Sequence, residues 1–145
     1  MLAKYWRLRM LWEADQTLTY NDGARIAIRC SPWKLTSEGA LSYGTTITED
    51  LGFGAGETIA DDGEVEGTVV DNTTNLYFGA NGYFELTADA DSTDGTAKLY
   101  LEESDDNTNW PSDQADFAIT DLSLVCVLEM STDAVDESRG KNFSF

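Results

Sequence analysis

Apolar and polar residues alternate with a period of two through most of this chain. In residues 4–13, Trp6, Leu8, Met10 and Trp12 fall on one side and Tyr5, Arg7, Arg9, Leu11 and Glu13 on the other. A strand turns that pattern into one buried and one outward face, whereas a helix would scatter it around its circumference. The alternation returns at 25–30, with Ile26 and Ile28 opposite Arg25 and Arg29. Between the two runs stands Asn21-Asp22-Gly23, a strong turn signal, so residues 1–30 are expected to form a long N-terminal hairpin. Further strands are expected near 45–49, 57–60, 64–71, 75–78, 83–87, 96–103 and 122–130. Asn81-Gly82 reads as the best hairpin turn, because both residues tolerate positive φ. In 122–130, Leu122, Leu124, Cys126, Leu128 and Met130 share one face, and residues 139–145 form a closing basic and aromatic strand through Phe143 and Phe145.

About eight or nine short strands, no convincing helix and no repeat predict an all-β chain. The expected architecture is one domain over residues 1–145, a single antiparallel β-sandwich of jelly-roll or immunoglobulin-like type. Its core is expected to hold Trp6, Leu8, Met10, Trp12, Ile26, Ile28, Val69, Phe84, Leu86, Leu99, Leu101, Leu124, Cys126 and Leu128.

Composition narrows the function. With 41% hydrophobic residues and two prolines among 145, the chain has the apolar content of a folded protein. It contains no histidine, which removes Ser-His-Asp and Cys-His catalysis and histidine-based metal sites. The formal net charge is −18 and unevenly spread. Residues 1–34 carry six bases against three acids, residues 35–138 one base against 24 acids, and residues 139–145 two bases. Such a field repels phosphate backbones, so no nucleic-acid partner is expected. The apolar runs are too short to span a bilayer, and Arg7 and Arg9 interrupt the stretch that an export signal would need. No membrane partner is expected, and synthesis in a cytoplasm makes Cys30 and Cys126 buried free thiols.

Candidate chemistry is thin. Gly52-Phe53-Gly54-Ala55-Gly56 lacks the third glycine and the helix of a dinucleotide loop, and the Lys-Ser/Thr of a phosphate loop. Asp89, Asp91 and Asp94 begin like a calcium loop, but the spacing slips by one and no glutamate closes it. They read as a metal-free acidic turn, with Asp105 and Asp106 as possible neighbours. A chain with 27 acids brings some carboxylate pair to hydrolytic spacing in any fold, so such a pair signals nothing. Trp33, Tyr43, Tyr100 and Trp110 could stack on sugar rings if exposed, which makes a carbohydrate-binding module one alternative. No catalytic residue, cofactor or metal is assigned.

One stretch carries a resemblance. It begins with Leu99-Tyr100-Leu101-Glu102-Glu103, continues through the Asp/Asn-rich Ser104-Asp105-Asp106-Asn107-Thr108-Asn109, and turns at Trp110-Pro111-Ser112-Asp113. The strand 122–130 and the closing Arg139-Gly140-Lys141-Asn142-Phe143 complete it. These elements resemble small virion structural proteins of tailed bacteriophages, of the capsid decoration or cement type. The resemblance implies a repeated, non-enzymatic subunit of the particle that contacts the capsid shell protein; a tail, baseplate or fibre-associated role is the alternative. It also implies self-association, as a trimer, and a virion location. Lys4, Arg7, Arg9, Arg139 and Lys141 are the candidate interface, a positive strip that docks on an acidic neighbour. The competing reading is that these bases only offset the protein's own carboxylates.

Overall fold

The computed structural model describes residues 1–14, 16–20, 25–88, 95–130 and 137–145. These residues are all-β, with several antiparallel sheets and no α-helix. Twelve strands follow one another: β1 (Tyr5–Ala14), β2 (Leu18–Thr19), β3 (Arg25–Leu35), β4 (Leu41–Tyr43), β5 (Ile47–Glu49), β6 (Thr58–Ile59), β7 (Gly63–Glu66), β8 (Val70–Asp71), β9 (Gly79–Ala88), β10 (Gly95–Ser104), β11 (Ser123–Met130) and β12 (Glu137–Ser144). The excess over eight or nine comes from pairings of two to four residues, too short to show a period in the sequence.

One five-stranded sheet has the order β11-β10-β1-β7, with β8 also on β1; the other has the order β12-β9-β3-β4, with β5 also on β3. β2 and β6 form a third, two-stranded sheet. The long strands alternate as the sequence predicts. Trp6, Leu8, Met10 and Trp12 of β1, Ile26 and Ile28 of β3, Phe84 and Leu86 of β9, and Leu99 and Leu101 of β10 are buried in one cluster to which both sheets contribute. Leu51 and Phe53 anchor the glycine-containing segment into that cluster.

Four expectations need correction. Residues 1–30 are not a hairpin: β1 pairs with β10, β7 and β8, while β3 pairs with β9, β4 and β5. Alternation specifies which face of a strand is buried and says nothing about its partner. The ten-residue register between β1 and β10, from Tyr5 opposite Ser104 to Ala14 opposite Gly95, outweighs the nearer candidate. The turn signal at 21–23 lies outside the described residues.

Asn81-Gly82 is not a turn but the interior of β9. Gly82 is there for space, opposite both Phe143 and Cys30. A Cβ on it would meet the Phe143 ring and lie 2.7 Å from the Arg29 carbonyl oxygen and 2.8 Å from the Cys30 Cβ. Because the backbone oxygen cannot yield as a flexible side chain does, Gly82→Ala is expected to destabilise the fold by about 1–3 kcal/mol, read as a lower urea midpoint at unchanged slope.

Residues 75–78 are not a strand either. Asn72, almost fully buried, holds them as a turn: its Oδ1 accepts the Tyr77 N–H at 2.7 Å, and its Nδ2 donates to the carbonyls of Ala3 and Tyr77.

Leu124 is exposed, and Val69 is only half-buried. The register between β10 and β11 slips between Leu99, opposite Cys126, and Tyr100, opposite Leu124. The extra residue, Val125, turns inward and reverses every side chain before it.

Candidate functional site

The strongest concentration of charge lies on the outward face of β1. Arg7 and Arg9 project there because alternation puts them opposite Leu8 and Met10. Glu102 of β10 stands directly across from Arg7, and Glu66 of β7 directly across from Arg9. The two arginines therefore sit between two strands that supply carboxylates. Arg7 reaches Glu102 at 2.6 Å through Nε and Glu66 at 3.1 Å through Nη1; Arg9 reaches Glu66 at 2.9 Å, Glu64 at 3.0 Å and Glu102 at 3.4 Å. The Glu102 side chain is fully buried, and each arginine side chain is only 11% exposed.

Residues 105–122 close over this cluster as a strap. Asp106 folds its first turn by accepting the N–H groups of Thr108 and Asn109 at 2.9 and 2.8 Å, and these bonds hold its carboxyl below the usual range. The Asp113 carboxylate accepts the Trp110 N–H at 2.9 Å, shaping the Trp-Pro-Ser-Asp turn. Ser112 then locks the strap down: its backbone N–H donates to Glu102 Oε1 at 2.8 Å, and its hydroxyl accepts from Arg7 at 3.1 Å. The Arg7 guanidinium lies 4.4 Å from the Trp110 ring centroid, and that of Arg9 lies 5.6 Å from Phe117. Beside them Leu11, Tyr100 and Ile119 form a small second core with Phe117 and Leu122.

Burial by itself would raise the Glu102 carboxyl, but the bonds from Arg7 and Ser112 outweigh it and hold the group below its ordinary value. The two oxygens of Glu102 have three kinds of donor, from Arg7, Arg9 and Ser112. Chemically the arrangement is a tie: charges paired inside the fold, with the strap's backbone included.

The structure therefore divides the candidate interface. Arg7 and Arg9 come together but are occupied by Glu64, Glu66 and Glu102, so they are no part of an open positive strip. Reversing their charge would face buried carboxylates with more of the same sign, striking the fold itself. Lys4 is exposed just before β1. Arg139 and Lys141 stand on β12 in the other sheet, opposite Leu86 and Phe84 of β9, and are exposed at its edge. The physical reason for the correction is sheet membership: the first and last strands are in different sheets. Glu102 and Ser112 went unrecognised as site residues. The signal available was an outward glutamate on one long strand and outward arginines on another.

Both cysteines are buried and unpaired. Burial, with Glu49 nearby, pushes the Cys30 thiol up to about 11, and burial also raises Cys126 against the pull of Lys141. Of the aromatics considered for sugar stacking, Tyr100 is buried beneath the strap and Trp110 is buried as part of it, while Trp33 and Tyr43 face each other across β3 and β4. Asp89, Asp91 and Asp94 lie outside the described residues. Comparison with protein-family models, curated proteins and solved structures finds no match for this chain.

Proposed function

We propose that this chain is a non-enzymatic structural subunit of a tailed-phage particle, made in the host cytoplasm, that decorates or cements the capsid shell through protein–protein contacts and self-association. The observation that carries the reading is the use made of the stretch that resembles virion proteins. Leu99 to Ser104 supply the strand beneath the strap, Trp110-Pro111-Ser112-Asp113 supplies its anchor, and β11 and β12 carry the remaining matched segments. Within that stretch Glu102, Asp106 and Asp113 each accept a backbone N–H of the strap, the use a load-tolerant structural module makes of polar groups. The two large sheets, sharing one cluster, fit a single antiparallel sandwich.

Fractionation of phage particles into heads and tails tests the reading. Mass spectrometry of the fractions is expected to find this chain with heads, in multiple copies per particle. Recovery with tails would move it to the alternative, a tail, baseplate or fibre-associated subunit, and absence from both would end the virion reading.

A further inference from the structure

The two large sheets end differently on their two flanks. On one flank the end strands are β4, β5, β7 and β8, of two to four residues each. A side chain stitches that flank: Glu49 of β5 accepts the Thr68 N–H, between β7 and β8, at 2.8 Å. On the other flank the end strands are β11 and β12, eight residues each. These two run near one another, and no ladder joins them among the described residues. An end strand of that length presents a row of backbone N–H and C=O groups to which a strand of another molecule can add. β11 is interrupted, because the extra residue at Val125 breaks its register with β10, and a bulge bends an edge away from a flat partner. β12 has no such break. It keeps one register with β9 from Glu137 opposite Ala88 to Ser144 opposite Asn81.

Register also fixes which side chains of β12 turn toward the core, since residues directly opposite in an antiparallel pair share a face. Phe143 is opposite Gly82 and is buried in the main cluster. Arg139 is opposite Leu86 and Lys141 is opposite Phe84, two members of that same cluster. Arg139 and Lys141 therefore stand on the inner face, exposed at the mouth of the gap between β12 and β11. Lys141 lies close enough to Cys126, buried on β11, for its charge to oppose the rise that burial gives that thiol. Asn142 and Ser144 belong to the outer face. Residues 35–145 hold three bases in all, and two of them occupy these inward positions, where a strand ordinarily places apolar side chains.

We propose that Arg139 and Lys141 guard the β12 edge, keeping a second copy of this chain from extending the sheet there. A strand added to β12 would continue the inner face across the mouth of the gap and cut both cations off from water. Backbone hydrogen bonds gained at the edge are exchanged for bonds to water and repay little of that desolvation. A second β12 would bring the same two bases to the same face, so each cation would also meet its own kind. The guard acts wherever copies meet at high concentration, a particle included, and leaves association through other surfaces open.

Sedimentation of the full chain at rising concentration tests the guard, with amide infrared absorption reporting added strand pairing. Arg139→Thr with Lys141→Val removes both charges and keeps residues that favour a strand. This variant is expected to grow past the parent's size, with a stronger strand signal, at a concentration at least about tenfold lower. Asn142→Val with Ser144→Thr makes matching changes on the outer face of the same strand and is expected to behave as the parent does. Thermal melts establish that each variant is folded. If the first melts early, Lys141→Met, which keeps the unbranched stem and removes one charge, replaces it with the same expected direction. An inner-face variant that stays at the parent's size at every concentration overturns the proposal. Equal growth by the outer-face variant overturns it too, since apolar content and not inward charge would then govern the edge.

Discussion

Phe84→Ala is expected to lower stability by about 3–5 kcal/mol, a large part of the roughly 5–15 kcal/mol that holds a domain folded. Phe84 is fully buried at the middle of β9, flanked by Ile28 on β3 and by β12 on the other side, and it belongs to the cluster that both large sheets share. Its removal leaves a cavity that residues on three strands cannot close without moving their registers. Leu124→Ala is the matched control. That leucine is 54% exposed beyond the bulge in β11, so its truncation is expected to stay within about 0.5 kcal/mol. Urea unfolding of both variants checks the contrast. A loss at Leu124 comparable with that at Phe84 would mean that the bulge does not turn this side chain out in solution.

That contrast shows what was legible in the sequence. Strict alternation located the long strands and most of their buried residues, because side-chain direction in a strand depends only on position along it. Pairing depends on the whole chain, so the partner of β1 lay about ninety residues away and a nearby turn signal pointed elsewhere. One inserted residue at Val125 was enough to invert Leu124, and no local feature announces a bulge. Gly82 misled for a related reason: glycine serves both turns and close packing, and only the position of Phe143 separates them. The charge cluster was half-visible. Arg7 and Arg9 were picked out by their outward position, but outward from the core is not outward to water when a strap covers the face. The strap's role follows from Ser112 and Glu102, ten residues apart and joined only in three dimensions.

Glu102→Gln is expected to be the most damaging substitution outside the main core, by about 3 kcal/mol near neutral pH. The change keeps the side chain's shape and removes the charge that Arg7, Arg9 and Ser112 address. Breaking a buried ion pair on one side typically costs about 3–5 kcal/mol, and the half-exposed Glu64 and Glu66 remain to offset the two arginines, which places the loss at the low end. The pH dependence carries a definite sign. Because the folded state holds the Glu102 carboxyl below its unfolded value, its contribution is complete above about pH 4.3, the ordinary glutamate value. It disappears as pH falls through the depressed folded value, since protons then bind the unfolded chain first. Parent and Glu102→Gln are therefore expected to differ most near pH 7 and to converge in acid. Replacing Arg7, Arg9 and Glu102 together with apolar residues should cost far less than Glu102→Gln, as no buried charge is left unpaired. Thermal melts of the three proteins between neutral and acid pH, followed by tryptophan fluorescence to which Trp110 of the strap contributes, check the full pattern. Equal stability of parent and Glu102→Gln at neutral pH would show that hydrophobic contacts from Leu11, Tyr100 and Ile119 hold the strap without help from the charges.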